Sequence, residues 1–145
     1  MRLLPHLIAC TALLCTALGN AHASDKTPLK SLPVNGYDMR YIEAGDGPPL
    51  ILIHGALGDH RSWAGSMDLL AEHFRVIAVD TRYYGKGDWD PRWPKFHRGV
   101  LADDIATFIR VLGAGPAHLA GWSQGSAVAH LVALRNPELV RSAYL

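Results

Sequence analysis

The sequence is poor in cysteine and has no excess of charge of either sign. Its two cysteines, Cys10 and Cys15, both lie within the first 23 residues. Residues 24–145 therefore offer no disulfide, no thiol nucleophile and no cysteine-ligated metal. The 14 basic residues are matched by 13 acidic ones, which argues against a strongly basic surface for nucleic acid or an anionic membrane. We expect no nucleic-acid partner.

The short motifs of common cofactor sites are also missing. The sequence has no pair of histidines at metal-ligand spacing, no glycine-rich dinucleotide fingerprint and no phosphate loop. We therefore expect no cofactor and no metal, and no protein partner can be identified. The apolar fraction of 49% is typical of a globular protein with a real core.

The first 23 residues have the pattern of an export signal. Arg2 gives a positive start, the stretch from Leu3 to Leu18 is mostly apolar, and Ala21-His22-Ala23 has the small-x-small pattern that signal peptidase cleaves. The alternatives are an uncleaved membrane anchor, for which the apolar run is short, and lipoprotein processing at Cys10. We predict cleavage after Ala23, a periplasmic or secreted product and no stable membrane anchor.

Residues 24–145 alternate strand-like and helix-like segments. Three short segments predict buried parallel strands: the continuous apolar runs Leu50–Ile53 and Val76–Val79, and the segment His118–Gly121. An earlier strand is predicted from Met39 to Ala44, and the polar segment from Ser24 to Pro33 reads as a flexible lead-in. Helical patterns follow the three segments: Ser66–Phe74, Val100–Leu112 and Gly125–Asn136.

This order predicts an α/β fold, with a mostly parallel sheet and helices on both of its faces. A further strand is predicted to begin at Val140. A domain rarely ends on a buried central strand, so we expect residues 24–145 to be the N-terminal half of a truncated domain.

The motif Gly121-Trp122-Ser123-Gln124-Gly125 lies between a predicted buried strand and a predicted helix. A serine hydroxyl is a poor nucleophile unless it is presented to a base. A sharp strand-to-helix turn presents it, and glycines two residues away on either side avoid clashes there. The pattern predicts Ser123 as the nucleophile; the alternative is a glycine-rich turn with an idle serine.

A second motif, His54-Gly55-Ala56-Leu57-Gly58, follows the first buried run. Attack by Ser123 on a carbonyl requires two backbone N–H donors near the developing oxyanion. We expect these donors to be Gln124, directly after the serine, and Ala56 in the second motif. His54 is expected to support this loop through hydrogen bonds rather than act as the general base.

Taken together, these motifs resemble the α/β-hydrolase superfamily. The resemblance extends from about Pro33 to the last residue and includes Asp80–Asp88, which is similar to the Asp-x-Arg-Gly-x-Gly-x-Ser loop of that family. Tyr83-Tyr84 and Asp88 depart from that pattern. The resemblance implies a structural loop bordering the pocket, with no catalytic role for Asp80.

The resemblance further implies that the triad acid and histidine follow the serine in chain order, beyond Leu145. His97 lies in an irregular segment and stays open as a base. Without partners Ser123 loses most of its rate, so we expect this chain alone to be inactive. The loop Trp89–His97 is either a wall of the substrate pocket or a segment that packs its aromatic side chains on the body.

The expected function is hydrolysis of a small ester, lactone, amide or related acyl substrate through an acyl-enzyme on Ser123. The alternative is a non-catalytic fragment or pseudoenzyme that lacks the triad acid and histidine. Carbon–carbon bond hydrolysis and peracid formation on the same scaffold are not distinguished by these residues.

The export pattern gives a first testable prediction. When the chain is made in a bacterium with a general secretion system, the exported protein should begin at Ser24, because signal peptidase reads Ala21 and Ala23. N-terminal sequencing and the intact mass of the periplasmic fraction measure this. Ala23→Arg, which removes the small residue before the cut, is the control and should retain the leader. A wild-type chain that keeps Met1 to Ala23 after export would contradict the prediction.

Overall fold

The computed structural model describes residues 27–85 and 90–145. The predicted export segment and its cleavage position lie outside the described residues, as do Asp88 and Trp89. The strands are β1 Lys30–Val34, β2 Tyr37–Ala44, β3 Pro49–Ile53, β4 Arg75–Val79, β5 Ala117–Gly121 and β6 Val140–Tyr144. The helices are α1 Ala64–Ala71, α2 Arg98–Leu112 and α3 Gln124–Arg135, with 3₁₀ turns at His60–Trp63 and Pro137–Leu139.

The strands form one six-stranded sheet in the order β1-β2-β4-β3-β5-β6. β1, β2 and β4 pair antiparallel, whereas β4, β3, β5 and β6 are parallel. This arrangement confirms the predicted α/β fold with a mostly parallel sheet. The parallel register sets Ile53 of β3 opposite Gly121 of β5, so the segments that follow these strands emerge at the same edge.

Two apolar clusters cover the two faces of the sheet. The larger one packs α2 and α3 on one face, around Phe108 and Ile109. The smaller one lies on the other face, where Met67 of α1 packs near Leu52 and Val76. Because β3 and β4 have buried side chains on both faces, their sequences are continuous apolar runs. None of the helices in the two described ranges is both long and apolar enough to cross a bilayer.

Two predictions near the N-terminus were wrong in detail. The segment expected to be a flexible lead-in contains β1, in which Pro33 pairs with Asp38 of β2. An edge strand tolerates proline because its outer N–H groups need no partner in the sheet. The first helix does not begin with Ser66 as its cap; a 3₁₀ turn capped by the Asp59 side chain comes first and leads directly into α1.

A buried ion pair joins the loop after β4 to α2. Arg82 Nε donates to Asp104 Oδ2 at 2.7 Å, and its Nη2 donates to Oδ1 at 2.9 Å. The same Nη2 donates to the Asn35 carbonyl, and Asn35 Nδ2 donates to Asp104. The Arg82 guanidinium also lies 4.2 Å from the Tyr37 ring centroid. The β1–β2 turn, the loop after β4 and α2 are thus held by one charge network, in which Asp104 raises the pKa of Arg82.

This network predicts a large difference between two adjacent aspartates of α2. Asp104→Ala should lower the free energy of unfolding by about 3–5 kcal/mol, because it leaves the Arg82 charge buried without its partner. Asp103→Ala, its matched control, removes only an exposed pair with Arg135 and should cost less than about 1 kcal/mol. Urea unfolding followed by circular dichroism measures both, and equal effects would contradict the role of the network.

Candidate active site at the carboxyl edge of the sheet

Ser123 lies in the turn between β5 and α3, with its side chain exposed. Its backbone has φ 55° and ψ −118°, a region that non-glycine residues seldom occupy. Such a conformation costs of order 1–3 kcal/mol and persists only where the surroundings enforce it. Strained residues of this kind cluster at functional sites, so the geometry singles out Ser123 within the motif.

Close packing of the backbone explains the two flanking glycines. A Cβ at Gly121 would lie 2.4 Å from the backbone C and O of Gly125, and a Cβ at Gly125 would lie 2.1 Å from the Ile53 carbonyl oxygen. Neither contact can be relieved by moving a flexible side chain. The first turn of α3 is therefore pressed against the end of β3, which brings the serine turn next to the His54–Gly58 loop.

Both expected oxyanion donors lie at this edge. Gln124 is the first residue of α3, so its N–H has no acceptor within the helix. This N–H lies at the helix N-terminus, which is the positive end of the helix dipole. Ala56 is exposed in a turn that the Gly58 N–H closes on the Gly55 carbonyl at 3.2 Å. The next residue, Leu57, has φ 62°. The arrangement offers main-chain N–H groups from the two segments that follow β3 and β5.

His54 is buried and uses both of its ring nitrogens locally. The Thr81 N–H donates to Nε2 at 3.1 Å. Nδ1 therefore carries the proton and donates it to the Gly55 carbonyl at 2.7 Å. Burial lowers the pKa of His54, which favours this neutral form. The ring has no nitrogen left for Ser123, and these contacts fit the supporting role that we expected.

Two other histidines also have partners. His97 Nδ1 accepts the Gly99 N–H at 3.0 Å and so caps the start of α2. The sequence had left His97 open as the general base, and this contact gives it a structural role as a helix cap. His118 lies in β5, and its Nδ1 is 2.8 Å from Ser142 Oγ. Within residues 27–85 and 90–145, no side chain hydrogen-bonds to the Ser123 hydroxyl.

Asp59, His60 and Asp80 lie close enough together to be considered as a metal site. Asp59 pairs with Arg61, which lowers the Asp59 pKa to about 2. Asp80 is 3.3 Å from Arg40 Nη2 and accepts both the His60 N–H and a contact from its Nδ1. Guanidinium groups already neutralise both carboxylates, so this donor set does not suit a cation. Asp80 instead fixes His60, just after the His54–Gly58 loop.

The sequence did not single out either of two tyrosines in the loop after β4: Tyr84 borders the site, and Tyr83 packs on residues 93–96. Tyr83 has φ 73° and is buried; its hydroxyl donates to the Pro94 carbonyl, and its ring meets Trp93 and Phe96 edge-on. The Tyr84 hydroxyl donates to the Gln124 side chain at 3.0 Å. The only available sequence signal was their departure from the family loop.

In the described part of this loop, residues 90–97, one aromatic side chain packs on the body and another is half exposed. Trp93 packs on the body, between Tyr83 and Tyr37. Phe96 contacts both Tyr83 and Tyr84, yet it is 51% exposed. Two further apolar side chains, Leu57 and Trp122, are exposed at the same edge, and Trp122 packs across Gly55.

Comparisons with known proteins agree with this fold. A model of the alpha/beta hydrolase fold family matches residues 48–145. A soluble epoxide hydrolase from Corynebacterium sp. (strain C12) is 35% identical over 112 residues, which cover 77% of this chain and 38% of that protein. A fluoroacetate dehalogenase from Burkholderia sp. is 31% identical over 120 residues, covering 74% and 40%.

Solved structures give the same result. A membrane phospholipase A, described as a bacterial virulence factor, has a TM-score of 0.77 and 31% identity, covering 84% of this chain and 40% of that one. An epoxide hydrolase from Vigna radiata has a TM-score of 0.76 and 27% identity, covering 82% and 39%. The chain belongs to the α/β-hydrolase family. The relatives named above are all hydrolases. It spans about two fifths of the length of these relatives.

The packing at the serine turn predicts an unusually costly glycine substitution. Gly121→Ala should destabilise the protein by about 3 kcal/mol or more, because the added Cβ meets backbone atoms that cannot move independently. Gly65→Ala is the control, since a Cβ there meets nothing within 4 Å and alanine favours the helix by up to about 1 kcal/mol. Thermal unfolding of both variants tests this, and a fully stable Gly121→Ala would refute the close approach.

Proposed function

We propose that this chain carries the nucleophile and the oxyanion donors of an exported serine hydrolase. The substrate would be a small ester, lactone, amide or related acyl compound. The observation that carries the proposal is the Ser123 turn. There an exposed serine is held in a strained backbone conformation at the positive end of a helix. The N–H groups of Gln124 and Ala56 emerge at the same edge, as acyl transfer requires.

The proposed reaction proceeds in two acyl-transfer steps. Ser123 Oγ attacks the carbonyl carbon and loses its proton to a base, while the carbonyl electron pair moves onto oxygen. The N–H groups of Gln124 and Ala56 donate hydrogen bonds to that oxygen. When the tetrahedral species collapses, the bond to the leaving group breaks, and the leaving group takes the proton from the base to become a neutral alcohol or amine. Water then gives a proton to the same base and attacks the acyl carbon, and collapse releases the acid while Ser123 Oγ regains its proton. From the resemblance to the family we expect the base and its acid to follow Ser123 in chain order, beyond Leu145.

The identity of the nucleophile favours acyl over alkyl substrates. If a serine hydroxyl opened an epoxide or displaced a halide, the product would be an alkyl ether on the enzyme. An ether has no carbonyl that water could attack, so the enzyme would not turn over. A carboxylate nucleophile forms an ester in the same situation and can be regenerated. A serine nucleophile therefore does not suit the epoxide and fluoroacetate chemistry for which two of the relatives are named.

The phospholipase A among the solved structures is named for an activity on an ester substrate. Its 31% identity over most of this chain supports ester hydrolysis without indicating a lipid substrate here. The edge around Ser123 exposes Leu57, Trp122 and Phe96, which would suit an apolar group on the substrate.

A non-catalytic role is the second candidate, and one observation favours it. Among the described residues, Ser123 has no hydrogen-bonded base. A serine without a base retains only the rate that oxyanion binding gives. For this chain alone we therefore expect slow but measurable acylation of Ser123 and little turnover.

A serine-directed fluorophosphonate tests the proposal, because it forms a covalent phosphonyl ester on the nucleophile and releases fluoride. Intact mass spectrometry should show one adduct on the wild-type chain and none on Ser123→Ala. The matched control, Ser66→Ala, removes an exposed helical serine on another face and should be labelled at the wild-type rate. A folded wild-type chain that takes no label, or a Ser123→Ala chain that is labelled equally, would defeat the proposal.

A further inference from the structure

Tyr84 lies between the two segments that carry the proposed oxyanion donors. On one side its hydroxyl donates to Gln124 Oε1 at 3.0 Å. On the other side its ring meets the His54 ring edge-on, with the centroids 5.5 Å apart. Gln124 follows the proposed nucleophile directly, and His54 directly precedes the loop that contains Ala56. One half-buried side chain thus contacts both parts of the site.

The contact with His54 reaches the oxyanion loop because His54 is itself fixed. Its Nδ1–H holds the Gly55 carbonyl at 2.7 Å, and its Nε2 accepts the Thr81 N–H. That carbonyl is also the acceptor that closes the Gly55–Gly58 turn. A ring packed against His54 therefore restricts the loop that presents the Ala56 N–H.

The contact with Gln124 acts on the other donor. As the first residue of α3, Gln124 has an N–H without a helical acceptor, so the helix ladder does not hold that group. The hydrogen bond from Tyr84 to the end of the Gln124 side chain limits the motion of Gln124 in this first turn. The Tyr84 ring also has a neighbour of its own, since Phe96 packs against it with centroids 6.4 Å apart.

We propose that Tyr84 is a positioning residue that fixes the Ala56 and Gln124 N–H groups relative to each other. This inference rests on the proposed function, which gives those two groups their task. Tyr84 touches neither Ser123 nor the reacting carbonyl in this scheme. It keeps two donors from different loops at the spacing that a single oxygen requires, and small displacements of such donors lower the rate.

Tyr83 provides a matched control in the adjacent position. It is a buried tyrosine whose hydroxyl also donates a hydrogen bond, but the acceptor is the Pro94 carbonyl. Its ring contacts lie with Trp93 and Phe96. Tyr83→Phe and Tyr84→Phe each remove one oxygen and keep the ring, so the two variants should have similar thermal stability.

The first experiment measures acylation of Ser123 in the full chain by the fluorophosphonate over a range of concentrations. Tyr84→Phe should lower the limiting rate constant by about three- to tenfold, the usual effect of one lost hydrogen bond. The half-saturating concentration should stay within about twofold, because the ring is unchanged. Tyr83→Phe should leave both values within about twofold. With Gln124→Leu already present, Tyr84→Phe should cause no further loss. Equal rates for the two single variants, or an added loss with Gln124→Leu present, would overturn the proposal.

The second experiment does not depend on any reaction and uses ¹⁵N relaxation of the uniformly labelled chain. In Tyr84→Phe the Gln124 side-chain amide should become mobile, with an order parameter below about 0.6, and the Ala56 amide signal should shift. In Tyr83→Phe both should match the wild type. Absence of label on wild-type Ser123 sinks the proposed function, whereas unmoved Gln124 and Ala56 signals in Tyr84→Phe sink the Tyr84 proposal alone.

Discussion

The close approach of α3 to the end of β3 is the constraint on which the rest of the site depends. Gly125 lies so near the Ile53 carbonyl that a single added carbon has no room, and the Trp122 N–H donates to that same carbonyl at 3.4 Å. β3 therefore holds the turn in which Ser123 is strained. Since the His54–Gly58 loop continues from β3, the same packing brings together the proposed nucleophile and the proposed second donor, Ala56.

The charges around this edge are arranged so that they do not compete with the site. Arg82 pairs with Asp104 beneath it, and Asp80 is held between Arg40 and His60. A buried charge without a partner would cost several kcal/mol and would draw polar groups out of position. With these charges satisfied, the exposed Ser123 hydroxyl and the N–H group at the start of α3 are left available for a substrate.

The sequence was sufficient for the elements whose signals are local. Continuous apolar runs predicted β3 and β4, the short segment His118–Gly121 predicted β5, and the spacing of glycines around Ser123 predicted the turn. β1 was missed because Pro33 argues against a strand unless its position at the edge is known. The hydrogen bond of Tyr84 to Gln124 was missed because it joins residues 40 positions apart. No periodic pattern encodes such a contact.

The distinction between main-chain and side-chain parts of the site also bears on its relatives. Oxyanion donors are backbone groups, so they depend on the turn geometry and tolerate many side chains. Epoxide hydrolases, a dehalogenase and a phospholipase A can therefore resemble this chain at 27–35% identity, although their names describe different reactions. The nucleophile is the part that a side chain must supply, and the serine nucleophile that we propose would require substrates with a carbonyl that water can later attack. Side chains such as Tyr84, which hold the donors in place, are free to differ between relatives as long as something spans the same gap.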